Sequence, residues 1–309
     1  MIRPYRPGDA DALAAMLDED RTPHAVTGDG LRHWFASQPA RARVAGWVAE
    51  EDGEPVGWVR ARLCWATSAE GVGEIWAFVI PKARRRGLGG MLYEAARAHL
   101  RAVGVRVVGS WTTGEEGGRF LAARGFQPSR TQEILRLDVA SADLSALDDL
   151  RRRLGREGYE LVPLSAVAER TQELYALDAG ATADVPGSFA EDDVRLEDWL
   201  SEALGHPQLT REGSTVVLVR GAPVAYSFLH VAPASGTAAN EMTGTHPGHR
   251  RKGLARLAKL GTIAWAREHG YRAILTESDE DNAGMLHLNR SLGYRQVATE
   301  TQYLLEVLR

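Results

Sequence analysis

Residues 245–255 read Thr245-His246-Pro247-Gly248-His249-Arg250-Arg251-Lys252-Gly253-Leu254-Ala255, and a near twin, Val79-Ile80-Pro81-Lys82-Ala83-Arg84-Arg85-Arg86-Gly87-Leu88-Gly89, lies earlier in the chain. Pro81 matches Pro247, Arg84 matches Arg250 and Gly87 matches Gly253, all at an offset of 166 residues. Each copy follows a strand-like run and opens an apolar-periodic helix. A basic turn, a glycine that lets the backbone come close, and amides pointing outward from a helix start together suit a diphosphate ligand. A merely solvated helix start is the competing reading, but cations are disfavoured at a helix N-terminus and the pattern occurs twice. A Walker loop needs Gly-x-x-x-x-Gly-Lys-Ser/Thr and a Rossmann turn needs Gly-x-Gly-x-x-Gly, and neither is present here.

The spacing Arg-x-x-Gly-x-Gly/Ala after Val/Thr-x-Pro resembles the GNAT superfamily of acyl-CoA-dependent N-acyltransferases, in a tandem form. The resemblance implies an α/β (α+β) protein of two tandem domains, each a mixed, largely antiparallel sheet with helices on both faces. It also implies that the loops hold the pyrophosphate of coenzyme A, with acetyl-CoA as the cofactor. The residues concerned are Val79, Arg84, Arg85, Arg86, Gly87, Leu88, Gly89 and Gly90 in the first copy, and Thr243, Thr245, Arg250, Arg251, Lys252, Gly253, Leu254 and Ala255 in the second.

The chain has 309 residues, 44% hydrophobic and 25% charged, enough for about two soluble domains. A formal charge of -4 argues against general nucleic-acid binding and favours a neutral or cationic small partner. The single cysteine, Cys64, allows no internal disulfide and no cysteine-based metal site, so no metal is expected. The start of the sequence shows no apolar signal region and no run long enough to span a bilayer, which gives a cytoplasmic expectation without membrane contact. The expected assembly is a monomer or a homodimer.

Along the first half, a short strand and an amphipathic helix precede a less regular stretch with Trp34 and Phe35. Strands are predicted at 44–50 and 55–63 around an Asp52-Gly53 hairpin turn, at 74–80 before the loop, at 105–111, and at 131–139 as the closing strand of the first domain. Short helices follow the loop and span 119–124. Residues 141–158 read as a linker with one exposed helix, its Arg151-Arg152-Arg153 run a solvated face. The plan restarts at Tyr159, with an acidic helix near 192–202, strands at 215–219, 223–231, 240–245 and 273–277, a helix at 283–292 and a last strand at 302–307. Gly125-Phe126 recurs as Gly293-Tyr294, so a whole domain is repeated. The division is 1–140 for the first domain and 159–309 for the second, predicted to be the catalytic one.

Acyl transfer to an amine needs an aligned donor, a route for the amine proton and hydrogen bonds for the developing oxyanion. The family resemblance assigns Asn282 to the pantetheine arm. It also expects a tyrosine four residues before the Gly-Phe pair to protonate the thiolate, and here that place holds Asn289 in the second half and Leu121 in the first. Asn289 could hydrogen-bond the sulfur but not protonate it; a helix-capping or surface role is the alternative. Glu241 and Glu277 are the candidate bases, each set in a half-apolar strand, with an outward-facing charge as the alternative for each. The first half has Gly114 in place of Asn282 and Glu74 one place out of register with Glu241. Histidines 246 and 249 flank the second loop, and the tryptophans of the first half could line an acceptor pocket or the core. The resulting expectation is transfer of an acetyl group to a primary amine of a small molecule by direct attack through a tetrahedral intermediate. A protein lysine or N-terminal acetyltransferase, and an acyl-CoA-binding sensor without catalysis, are the alternatives.

Overall fold

The computed structural model describes residues 1–19 and 25–306. The first half runs β1 (Ile2–Pro4), α1 (Ala10–Glu19), α2 (Gly28–Ser37), β2 (Ala45–Glu51), β3 (Glu54–Leu63), β4 (Val72–Val79), α3 (Leu88–Ala102), β5 (Val107–Thr112), α4 (Glu115–Ala122) and β6 (Gln127–Asp138). Helix α5 (Ala146–Arg156) joins it to β7 (Tyr159–Pro163), α6 (Thr171–Thr182), α7 (Leu196–Trp199), β8 (Thr215–Val219), β9 (Ala222–Ala232), β10 (Thr237–Thr245), α8 (Leu254–Glu268), β11 (Ala273–Asp279), α9 (Ala283–Ser291) and β12 (Arg295–Glu306). Each half therefore carries the mixed, largely antiparallel sheet expected, with one parallel pair apiece, β4 with β5 and β10 with β11.

Period-two alternation sets the layers. In the second half Val217, Ala225 and Leu229 pack with Leu154, Leu257 and Leu286 on one face of the sheet. Their chain neighbours Val216, Leu218, Tyr226 and Phe228 pack with Leu174, Leu177 and Trp199 on the other. Both faces are thus covered by helices, as apolar residues at consecutive strand positions require. Leu257 is fully buried, so cutting it to Ala would cost roughly 2–5 kcal/mol.

The two sheets are one. Strand order is β1-β2-β3-β4-β5-β12-β6-β11-β10-β9-β8-β7, twelve strands in all. This corrects the expectation for both closing strands. β6, predicted to close the first sheet, pairs with β11 along Gln132–Asp138, while the C-terminal β12 pairs with β5 from Thr301 to Glu306. The exchanged strands then pair with each other. Each half lends the other its last strand, so neither is left with an open edge at the join. Residue 307, placed at the end of that strand by the sequence, lies outside the described residues.

Three smaller expectations change. The stretch around Trp34 and Phe35 is helical, started by the Thr27 side chain accepting from Gly30 N at 3.0 Å. The helix predicted at 119–124 begins at Glu115, and the acidic one predicted at 192–202 begins only at Leu196. Helix α5 is more than an exposed linker: Leu147 and Leu154 are buried in the second core, while Arg152 and Arg153 lie on its wet face beside Asp149 and Glu157.

Candidate functional site

The two loops have the same backbone. Arg85 and Arg251 both adopt left-handed geometry, at φ 63° and 62°, and Gly87 and Gly253 follow at 85° and 91°. A non-glycine residue is uncommon there, so its recurrence in both copies marks a turn imposed by the motif. The glycines cap α3 and α8 at their N-termini without any side-chain cap, which leaves first-turn amides for a ligand. Arg84 and Arg250 turn back instead: Arg84 Nε donates to Val79 O at 2.9 Å, and Arg250 Nε to Thr245 O at 3.2 Å. They tie the loop to its strand, with Arg250 also paired to Asp184. Of the other basic residues, Arg86 reaches Glu51, while Lys252 Nζ donates to Tyr159 OH at 2.9 Å. His249 Nδ1 meets the same hydroxyl at 3.0 Å, and His246 Nδ1 accepts from Gly248 N within the turn.

Behind each loop the parallel strands part. β4 pairs with β5 only through Glu74, and β10 with β11 only through Ala239, although both strands continue several residues further. A slot with one-sided backbone opens in each half. Only the second slot has a β-bulge. β10 shifts register against β9 between Asn240 and Met242, leaving Glu241 as the extra residue, whereas β4 runs against β3 without a break. A bulge re-aims its extra side chain, and Glu241 faces a cavity at the point where the slot opens. Its side chain is 51% exposed, half open rather than buried in the apolar strand.

A buried polar network holds this bend. Tyr294 OH donates to Asn240 Oδ1 at 2.7 Å, Asn240 Nδ2 donates to Ser227 Oγ at 3.2 Å, and Thr276 Oγ1 donates to Asn240 O at 3.2 Å. Ser227 in turn meets Thr243 Oγ1 at 2.9 Å. None of this was legible from spacing, although Tyr294 sits in the repeated Gly293-Tyr294 pair. His230 Nδ1 lies 3.5 Å from Glu241 Oε1 and stacks on His206 at 4.3 Å. Burial lowers His230 to about 3 and His206 to about 4, so both imidazoles are neutral at neutral pH.

The cavity, about 360 Å³, lies between the halves, with Glu241 and Glu277 on one side and Trp34 and Arg60 on the other. It adjoins a second of about 430 Å³ lined by Trp58, Trp76 and Trp111, with Arg60 and Glu277 common to both. Gln132 of the exchanged β6 donates to both Glu277 and Glu300, at 2.9 and 2.8 Å. Among the described residues, two of the four carboxylates lining the two cavities, Glu277 and Glu300, are thus fixed by the strand exchange. Trp47 and Trp65, grouped by the sequence with the other tryptophans, lie elsewhere.

Asn282 caps α9, its Oδ1 accepting from Met285 N at 3.1 Å, so its Nδ2 remains the group able to donate to a ligand. Asn289 is neither a cap nor a surface residue: it is fully buried and donates to Ser278 Oγ at 3.1 Å. Among the described residues its Oδ1 lacks a partner, as does Thr245 Oγ1 beside the loop. In the first half Gly114 starts α4 without a side-chain cap, and Leu121 is core. Burial pushes the Cys64 thiol up to about 12, which removes it as a nucleophile. Among the described residues no group of three His, Cys, Asp or Glu side chains is placed to hold a metal ion, and no helix is long and apolar enough to cross a membrane.

A sequence profile of the acetyltransferase (GNAT) family matches this chain twice, over residues 11–126 and 172–294. The chain belongs to that family. Both matches contain a loop and the slot behind it, so this GNAT acetyltransferase is a tandem one. It is 29% identical to the mycothiol acetyltransferase of Thermobifida fusca over 96% of this chain and 90% of that one. Identity to the protein of the same name from Kineococcus radiotolerans is 28%, over 94% and 87%. A tandem GNAT protein from the clavulanic acid biosynthesis pathway superposes with a TM-score of 0.73 at 20% identity, covering 99% of this chain and 98% of that one. That likeness extends the shared architecture across both halves.

Proposed function

We propose that the second half of this acyltransferase moves an acetyl group from acetyl-CoA to a primary amine of a small molecule held between the two halves. The observation that carries this reading is the bulge at Glu241, which sets a carboxylate where the slot behind the second loop meets the cavity. The residues present fit the cofactor. Arg251, Lys252 and the amides after Gly253 suit a diphosphate, and the two buried acceptors without partners, Thr245 Oγ1 and Asn289 Oδ1, suit the amide N–H groups of a pantetheine arm. Thr243 on the strand before the loop and the Nδ2 of Asn282, whose Oδ1 is spent on the α9 cap, are further groups that could bond the arm. When bound, acetyl-CoA would supply a thioester, whose carbonyl carbon takes the amine nitrogen as the carbon–sulfur bond breaks and coenzyme A leaves as a thiolate protonated by solvent.

Glu241 takes the proton from the amine, aided by its half-open position, which lets water relay it. Glu277, held by Gln132, attracts the substrate's ammonium form into the cavity. The Asn240, Tyr294 and Ser227 network keeps the bulge in place, so the carboxylate is already positioned before the amine arrives. The relatives named as mycothiol acetyltransferases support a small-molecule acceptor over a protein one. Thiol release from acetyl-CoA with a panel of primary amines tests the reading. Glu241→Gln is expected to lower turnover on the order of 100-fold or more with acetyl-CoA affinity nearly unchanged. Absence of release with every amine, or an unaltered rate in Glu241→Gln, refutes it.

A further inference from the structure

Opposite Glu241, the first half presents donors that have no acceptor. Arg60 lines both cavities, its Nε is shielded from solvent, and among the described residues that Nε has no hydrogen-bond partner. Among the described residues no carboxylate lies within ion-pair distance of it. Arg62 also has an Nε without a hydrogen bond, but its guanidinium is ion-paired to Glu74 at 2.9 Å and its Nη1 donates to Gln38 Oε1 at 2.6 Å. The Arg60 guanidinium lies 4.1 Å from the Trp34 ring centre and 5.7 Å from that of Trp76, which fixes its plane without using its N–H groups. Two residues back on β3, on the same face, Trp58 is 1% exposed and its indole Nε1 also lacks a partner. Ser37 of α2 adds a third buried polar atom without one, on the wall it shares with Arg60. Buried polar groups without partners are uncommon, and three among the described residues around these two adjoining cavities, two of them N–H donors, call for an acceptor from outside the chain.

We infer that Arg60, Trp58 and Ser37 form an anion subsite, and that the acceptor is a molecule carrying a carboxylate as well as its reacting amine. This rests on the proposed acetyl transfer in the same cavity and names its substrate class. The cavity carries both charges: the Arg60 guanidinium lines it together with the carboxylates Glu241 and Glu277, where the amine reacts, and Glu202. Glu74 and Glu202 act on Arg60 only at a distance, opposed by the charge of Arg62, so they leave its Nε without a hydrogen bond. A planar guanidinium suits the two oxygens of a carboxylate better than a sugar hydroxyl. The aromatic walls then enclose the aliphatic segment joining the two ends of the substrate.

The test compares glycine, β-alanine, 4-aminobutyrate and 6-aminohexanoate with the n-alkylamines of matching length, by thiol release from acetyl-CoA. At one chain length the aminocarboxylate is expected to exceed its alkylamine by roughly 10- to 100-fold in kcat/KM, mostly through KM. Arg60→Gln should remove that preference, bringing the kcat/KM of each aminocarboxylate down toward that of its alkylamine. Trp58→Phe, which keeps the ring and deletes the N–H, should weaken it in part and serves if Arg60→Gln does not fold. Equal rates for both series, or equal losses in both on Arg60→Gln, overturn the subsite and leave acetyl transfer standing. If no amine is acetylated, the proposed activity fails instead, and calorimetry with 6-acetamidohexanoate decides the subsite separately. Binding that disappears in Arg60→Gln supports it, and no binding to the wild-type protein overturns it.

Discussion

Lys259 offers a quantitative check on the second core. It lies on α8 at 1% exposure with its ammonium 5.0 Å from the Tyr294 ring centre, and burial alone lowers it to about 7 from the ordinary 10.5. The unfolded chain therefore holds more protons than the folded one between pH 7 and 10.5. Stability must rise with pH across that window, and below pH 7 this residue adds no further slope. Each pH unit in the window is worth about 1.4 kcal/mol, so moving from pH 9 to pH 7 should cost roughly 2–3 kcal/mol through Lys259. Lys259→Met keeps the volume and removes the charge. Urea unfolding of both proteins at pH 7, 8 and 9 isolates the residue, because every other titrating group is common to the pair. The variant is expected to be the more stable at pH 7, with its advantage shrinking by that amount at pH 9. A difference that is constant with pH would refute the reasoning and mean that the ammonium finds an anionic or solvated partner.

Gly253→Val should weaken acetyl-CoA binding at least tenfold by calorimetry, because a β-branched residue resists φ 91° even though space for a side chain exists; Gly87→Val should leave turnover nearly intact if the second half alone catalyses. Arg250→Ala should lower acetyl-CoA affinity through a loosened loop, while Arg84→Ala spares the reaction. Loss of turnover in the latter alone would move catalysis to the first half. Asn282→Ala should cost roughly 0.5–2 kcal/mol in urea unfolding from the lost α9 cap and weaken acetyl-CoA as well; a stability loss without an affinity loss would assign the residue to capping only. Fragments 1–140 and 159–309 expressed apart should each self-associate, since β5 and β11 would lose the partners lent across the join, and monodisperse monomers by light scattering would contradict the strand exchange as a stabilising feature.

Local features could be read along the chain. Arg-x-x-Gly after a strand and before a helix fixes a turn through the φ preferences of a few consecutive residues, so the two loops, the repeat and the family were legible from spacing alone. Hairpins, helices and most strands were likewise legible from periodicity, because neighbouring residues set them. The tertiary structure decided whatever depends on partners far apart in the chain. Thr131 to Val139 reads as a strand whichever neighbour it takes, and only the assembled sheet shows β6 beside β11 and β12 beside β5. The bulge at Glu241 was equally hidden, since one unpaired residue leaves the composition of β10 unchanged and is visible only against β9. Glu241 and Glu277 could be named from the sequence, but Arg60, Trp58 and Ser37 face them across a cavity built by both halves. Hydrogen-bond satisfaction is a property of three-dimensional neighbourhoods, and no spacing along a chain records which buried donors are left without an acceptor.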